Sequence, residues 1–213
     1  MILNIGLIDY GMGNLHSVEQ SFKRLNQSLK IISGPNDLSN CDALILPGVG
    51  SFDPAMKNLQ QTNLIPELKK WVLNNKPLLG ICLGLQLLFE SSDEGKSKGL
   101  GLLKGTIKHL PKSEKQLIPH MGWAELNQDK ECPLFKSNSS PQWMYFVHSY
   151  SAIPSDKNDI ASSVNFGDEK ITAVVWKKKL AACQFHPEKS GRSGELLLSN
   201  WLAWLKKETK DLY

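Results

Sequence analysis

Leu78-Leu79-Gly80-Ile81-Cys82-Leu83-Gly84-Leu85-Gln86-Leu87-Leu88-Phe89-Glu90 is an apolar run that breaks at a cysteine and resumes with helical spacing. Before the break, Leu78, Leu79 and Ile81 follow Pro77 without alternation, as in a strand buried on both faces. Beyond it, Leu85, Leu88 and Phe89 recur at helical intervals. Cys82 therefore sits on a strand-to-helix corner with Gly80 and Gly84 two residues to either side, the spacing of a nucleophile elbow with sulfur in place of a serine oxygen. A side chain thrust outward on a strained turn leaves no room for a Cβ where the backbone folds back on its neighbours, which is the steric job of the glycines. The corner also sets Cys82 at a helix N-terminus, where free N–H groups and the helix dipole favour a thiolate and can hold a developing oxyanion. A small buried cysteine is the bland alternative, and Gly-x-Cys-x-Gly alone leaves it open.

A second stretch decides between them. Leu180-Ala181-Ala182-Cys183-Gln184-Phe185-His186-Pro187-Glu188-Lys189-Ser190-Gly191 reads as a short apolar strand ending in a histidine, with a carboxylate two residues on. A thiol needs a base to take its proton and return it to the leaving group, and the base needs a partner that fixes its tautomer. His186 and Glu188 supply both. The order of nucleophile first, then histidine and acid almost adjacent, is unlike the Ser, Asp, His order of the α/β-hydrolases. His148, in Phe146-Val147-His148-Ser149-Tyr150, is a rival base but lacks an acidic neighbour, so His186 keeps the role.

Gly80-Ile81-Cys82-Leu83-Gly84-Leu85-Gln86 and His186-Pro187-Glu188 together resemble the class I, or triad, glutamine amidotransferases, and the resemblance spans essentially the whole chain. It implies hydrolysis of glutamine to glutamate, with the ammonia passed to a synthase. Carried over, Cys82 is the nucleophile, His186 the general base and acid, Glu188 its orienting partner and Gln86 a contact to the substrate glutamine. Pro47-Gly48-Val49-Gly50 corresponds to the family's oxyanion strand, so Val49 and Gly50 supply one donor and the N–H of Leu83 the other. Glu94, in Ser91-Ser92-Asp93-Glu94-Gly95, is the candidate for the acidic residue facing the substrate's amino group, with Asp93 and Glu90 as rivals. Ser149 and Tyr150 correspond to a wall of the glutamine pocket.

Within the family, Asp9-Tyr10-Gly11-Met12-Gly13-Asn14-Leu15, the Val-Gly-Ser-Phe run at 49–52 and His120-Met121-Gly122-Trp123 are similar to one branch. Its members feed ammonia to a cyclase subunit, a TIM barrel that closes an imidazole ring in histidine synthesis. The resemblance implies a heterodimer, with Asn14, Met121, Trp123, Tyr145 and Lys189 toward the partner; Met121, Trp123 and Tyr145 can also be read as core residues. It implies no metal and no organic cofactor.

The rest of the chain fits one domain over residues 1–213: 41% hydrophobic residues suffice for a sizeable core. A net charge of +4, dispersed in lysine pairs and Lys177-Lys178-Lys179, argues against a nucleic-acid partner. No apolar run approaches membrane length, and Met1-Ile2-Leu3-Asn4 enters a strand without a basic leader, so a cytoplasmic location is expected. Cys41, Cys82, Cys132 and Cys183 then read as reduced thiols, and the Asn138-Ser139-Ser140 sequon carries no meaning.

Buried strands are expected at Ile5 to Ile8, Leu29 to Ile32 and Ala43 to Leu46, the first followed by a helix with Leu15, Val18, Phe22 and Leu25 on one face. Asp53 is expected to cap the helix after Gly50, with Pro54 at its first position, and another helix spans Pro66 to Asn74. From Lys98 to Trp176 helical periodicity fades. Five β-like segments (Gly105 to Leu110, Met121 to Leu126, Trp143 to His148, Ala161 to Asn165, Thr172 to Trp176) predict an antiparallel extension of the sheet. A Ser-Gly-Arg-Ser turn and a closing helix from Glu195 to about Lys206 end the chain. The fold expected is a flavodoxin-like, doubly wound, mainly parallel α/β sheet with an antiparallel β extension. Three rival functions stand beside the branch reading: a paralogue supplying ammonia for amidine formation on a surface sugar, a stand-alone γ-glutamyl peptidase, and a catalytically dead binding module that the intact triad disfavours.

Overall fold

In a computed structural model, residues 3–135 and 142–210 are described, so Met1, Ile2 and the Asn138–Ser140 sequon lie outside the described residues. The first half of the chain alternates strand and helix. β1 (Ile5–Ile8), α1 (Leu15–Arg24), β2 (Leu29–Ile32), β3 (Ala43–Leu46), α2 (Phe52–Gln61), α3 (Ile65–Leu73), β4 (Leu78–Ile81) and α4 (Leu83–Leu87) follow in order. β1, β3 and β4 are buried at every position, which is why they read as unbroken apolar runs. Alternate residues feed two cores. Ile5, Leu7, Ile45, Leu79 and Ile81 pack with Phe22 and Trp201, while Ile8, Leu44, Leu46 and Leu78 pack with Phe52, Leu59, Leu68 and Trp71.

The second half contributes β5 (Ser91–Ser92), β6 (Gly105–His109), β7 (His120–Glu125), β8 (Asn127–Gln128), β9 (Trp143–His148), β10 (Tyr150–Pro154), β11 (Ile160–Phe166), β12 (Glu169–Lys177), β13 (Leu180–Cys183) and α5 (Gly191–Lys210). The main sheet has the order β2-β1-β3-β4-β13-β12-β11-β8. Its first five strands are parallel and its last three antiparallel. This is the doubly wound arrangement, in which ligands sit outside the carboxyl ends of the strands. β13 returns beside β4 with Cys183 opposite Ile81, so the two strands end side by side. The Cys82 N–H donates to the Cys183 carbonyl at 2.8 Å, and residues following both strands face one crevice.

Four local expectations differ from the structure. Of the five β-like segments, only β11 and β12 extend the main sheet; β6 lies in a separate three-stranded sheet with β10 and β5, and β7 pairs with β9 alone. The helix after Cys82 stops at Leu87, because backbone N–H groups of Leu100, Leu102 and Leu103 take the carbonyls of Leu87 and Leu88. α5 begins at Gly191, so the Ser-Gly-Arg-Ser quartet leads directly into helix, with the Gly194 N–H on the Ser190 carbonyl at 3.2 Å. Asp53 does not cap α2: Ser51 stands at that position, and the Asp53 carboxylate reaches across to Lys96 and Ser97. All four cysteines are free thiols. Among the described residues no helix is long and apolar enough to cross a membrane.

Candidate active site

Cys82 occupies the corner between β4 and α4 with φ 54° and ψ −111°, a conformation L-residues adopt only when their surroundings enforce it. The enforcement is visible at Gly84, where a Cβ would lie 1.9 Å from the Leu46 carbonyl oxygen at the end of β3. Only glycine lets the two backbones approach so closely. The cysteine lines a cavity of about 360 Å³ that also contains Val49, Gly50, Leu83, Gln86, Glu94, Pro119, Val147, His148, Ser149, Tyr150 and His186.

His186 follows β13 and is 2% exposed. Its Nδ1 meets Glu188 Oε1 at 2.7 Å, with both side chains out of solvent. Pro187–Lys189 forms one turn of 3₁₀ helix, which brings a carboxylate two residues along the chain back onto the ring. A carboxylate only accepts, so Nδ1 carries a proton and Nε2 is the nitrogen left for Cys82. Burial opposes charge on the imidazole, but hydrogen bonds and charge from Cys82 and Glu188 prevail and raise its pKa to about 10. At neutral pH the proton needed by a leaving group already resides on His186.

His148 shares the cavity but has the opposite character. Its Nδ1 donates to the Tyr150 carbonyl at 2.8 Å, and its Nε2 accepts from Nδ1 of His120 at 3.1 Å. Burial pushes its pKa down to about 3 despite the Tyr150 hydrogen bond, with His120 and His186 adding repulsion. Both ring nitrogens are engaged and the ring is neutral, which leaves it unsuited to the base role.

Gln86 is buried, unlike an ordinary solvated helix residue: its Nε2 donates to the Tyr150 carbonyl at 3.3 Å and to Oε1 of Gln184 at 3.1 Å. Glu94 lines the cavity, and its Oε2 accepts the Phe52 N–H at 2.9 Å. Its rivals are engaged elsewhere, Asp93 with Lys108 at 3.0 Å and Glu90 with the Gly105 N–H at 2.8 Å. Ser149 and Tyr150 also line the cavity.

The expected oxyanion donors are placed at the site, but two of them are already engaged. The Leu83 N–H donates to the Gly48 carbonyl at 3.3 Å, and the Val49 N–H turns away to the Met12 carbonyl at 2.9 Å. Tyr10 adds a third restraint, its buried hydroxyl donating to the Pro47 carbonyl at 2.9 Å, with its pKa raised by burial and by the neighbouring Cys82.

Beside the cavity, β7 and β9 expose one apolar face. Met121, Trp123 and Trp143 are 62%, 53% and 48% exposed, and the rings of Trp123 and Tyr145 meet edge to face at 6.1 Å. Lys189 is exposed on the 3₁₀ turn after His186. Asn14 caps α1, its Oδ1 accepting the Ser17 N–H at 3.3 Å.

Gln184, Ser190 and Trp143 are among the residues of the site not singled out from sequence. Gln184 is fully buried and sets its Nε2 3.9 Å from Cys82 Sγ. Its orientation is determined, because the Tyr150 carbonyl can only accept and thereby points the Gln86 amide nitrogen at Gln184 Oε1. Ser190 accepts the Tyr145 N–H at 2.9 Å and donates to the His186 carbonyl at 2.6 Å. Trp143 extends the exposed apolar face. Glutamine two residues before the candidate histidine was a readable signal; the Ser190 link depends on β9 and had none.

Residues 6–203 match the family model of the class-I glutamine amidotransferases, and the chain belongs to that family. Over 212 residues it is 66% identical to imidazole glycerol phosphate synthase subunit HisH of Prochlorococcus marinus (strain MIT 9211), covering 100% of both chains. It is 58% identical, over 97% of each chain, to the HisH subunit of Synechococcus sp. (strain CC9605). With these relatives it belongs to the HisH branch of the family. The fold is shared with the structure of PurLQS from Thermotoga maritima at a TM-score of 0.75, with 20% identity over 96% of this chain and 100% of that one.

Proposed function

We propose that the 213-residue chain acts as one glutaminase domain, the ammonia-producing subunit of an imidazole glycerol phosphate synthase in the cytoplasm. The observation that supports it most is the buried His186–Glu188 pair beside an elbow cysteine held at positive φ. The Cys82 sulfur attacks the side-chain amide carbon of glutamine, and the carbonyl π electrons move to oxygen. As the tetrahedral intermediate collapses, the C–N bond breaks and His186 protonates the departing nitrogen, releasing ammonia and a thioester. His186 then takes a proton from water, hydroxide adds to the thioester, and glutamate leaves with return of Cys82. Glu188 holds the imidazolium in both steps, Glu94 meets the substrate's ammonium group, and Gln86, Ser149 and Tyr150 enclose its chain.

The oxyanion calls for the N–H groups of Leu83 and of the Val49/Gly50 turn, and the first two are hydrogen-bonded elsewhere. The Pro47–Gly50 segment therefore turns over before efficient catalysis, a step assigned to the partner. That partner is a TIM-barrel cyclase, docked on Met121, Trp123, Trp143, Tyr145 and Lys189 beside the cavity. Ammonia freed into bulk water at neutral pH would be protonated and lose its nucleophilicity, which favours release under a docked partner.

Glutamate release is measured for the chain alone and with the cyclase plus its ribulosyl substrate. Release that appears or rises strongly only in the mixture is expected. Equal release in both keeps the cysteine chemistry but refutes the synthase-subunit reading in favour of a free-standing hydrolase.

A further inference from the structure

We propose that Asp53 is a positioning residue for glutamine recognition, joined to Glu94 in a reciprocal clasp that sets the carboxylate meeting the substrate's ammonium group. The inference rests on the reading of Glu94 given above. Its geometry is an exchange of carboxylates between two segments. From α2, Asp53 Oδ2 accepts the Lys96 N–H at 3.0 Å and Oδ1 accepts the Ser97 N–H at 2.9 Å. From the loop after β5, Glu94 Oε2 accepts the Phe52 N–H at 2.9 Å, one residue before Asp53. Each side chain thus fixes the backbone from which the other projects.

The loop needs that support. The segment from Ser92 to Gly105 is tied down at Asp93, whose N–H meets the Ile107 carbonyl at 2.9 Å, and again from Gly99, whose N–H meets the Glu90 carbonyl at 2.9 Å; between them the restraints besides Asp53 are the Glu94 N–H on Ser92 Oγ at 3.1 Å and the Gly95 N–H on the Ser92 carbonyl at 3.3 Å. It lies flush on Asp53: a Cβ at Gly95 would fall 2.0 Å from Oδ1. A carboxylate suits the position because it offers an acceptor oxygen to each of two parallel N–H groups, whereas asparagine offers one. The same backbone hydrogen bonds hold the Asp53 carboxyl below the usual carboxylate range, so it stays ionised wherever the enzyme works. With Oε2 of Glu94 committed to Phe52, its other oxygen is the one presented to an ammonium group, and a shifted loop would misplace it.

The test uses the assembled complex with its cyclase and two substrates, glutamine and glutaramate, which lacks the α-amino group. Glu94→Gln sets the reference by removing the charge that reads the ammonium. Asp53→Ala is expected to raise the KM for glutamine about tenfold with kcat within about twofold, and to lower the preference for glutamine over glutaramate. Asp53→Asn, which preserves shape, should fall between wild type and alanine and carries the test if the alanine variant does not fold. A fall in kcat with KM and substrate preference unchanged would make Asp53 merely structural and overturn the proposal. Preference lost in Glu94→Gln but intact in both Asp53 variants would overturn the clasp alone. Preference intact in Glu94→Gln would overturn the reading of Glu94 and the clasp with it.

Discussion

The buried histidine pair makes a quantitative demand on stability as pH falls. His148 titrates near 6.5 when unfolded and at about 3 when folded, so the unfolded chain binds a proton over a range where the native chain does not. A group whose folded pKa is depressed in this way, being cationic when protonated, favours the native state fully above about pH 6.5 and loses that advantage progressively down to about pH 3. Between about pH 7.5 and pH 5 the linkage amounts to about 2 kcal/mol, and His120, also lowered by burial, adds in the same direction. His186 has the opposite sign. Raised to about 10, it favours folding most below about pH 6.5, so it gains between about 1 and 2 kcal/mol over the same interval and masks much of the loss. The wild-type profile therefore understates the effect, and a variant isolates it. In His148→Gln, which can still accept from His120, the destabilisation measured by urea unfolding should shrink by about 2 kcal/mol from pH 7.5 to pH 5. A variant-to-wild-type difference that is the same at both pH values, within a few tenths of a kcal/mol, would refute the claim that His148 is held neutral.

Two further substitutions probe the elbow. Gly84→Ala places a methyl against the Leu46 carbonyl oxygen, rigid backbone rather than a flexible side chain, and should cost at least about 3 kcal/mol. Gly34→Ala, with nothing within 4 Å, is the control, and equal urea midpoints for the two would contradict the close-approach argument. Gln184→Leu removes the amide donor 3.9 Å from the sulfur and should slow both iodoacetamide alkylation of Cys82 and glutamine turnover by about tenfold. An unchanged alkylation rate would show that the amide does not act on the nucleophile.

The parallel half of the fold was legible because its signal is local. Buried strands such as Ala43–Leu46 are short apolar runs, and the structure ends them where the sequence suggests. The antiparallel half was legible as segments but not as sheets. β7 and β9 alternate inward residues such as His120, Met144 and Phe146 with outward Met121, Trp123 and Trp143, a pattern equally compatible with joining the main sheet or forming a pair alone. Asp53 failed for a related reason: Asp-Pro at a helix start is a good local cap signal, and two distant N–H groups outcompeted it. At the site, residue identities were readable, whereas peptide orientation was not. Val49 lies between two glycines, and nothing in Gly-Val-Gly fixes which way its N–H points.

That orientation separates the two halves of the catalytic apparatus. On the proposed mechanism the histidine is ready, protonated and oriented by Glu188, while the Leu83 and Val49 donors are engaged by Gly48 and Met12. Each of those hydrogen bonds is worth about 1 kcal/mol net, so on the proposed mechanism the closed arrangement of Pro47–Gly50 is favoured by only a few kcal/mol. A docked partner can supply that. Trp123 and Tyr145 lie on the exposed face of β7 and β9, and the Tyr145 carbonyl accepts the His186 N–H at 3.0 Å while its N–H binds Ser190. A partner on that face would rest one hydrogen bond from the base, and Val49, 38% exposed at the rim, presents the segment that must turn to the same cavity. On the proposed mechanism, keeping the His186–Glu188 pair formed and the oxyanion donors withheld puts control on the step that stabilises the transition state, so that glutamine could occupy the site without being hydrolysed.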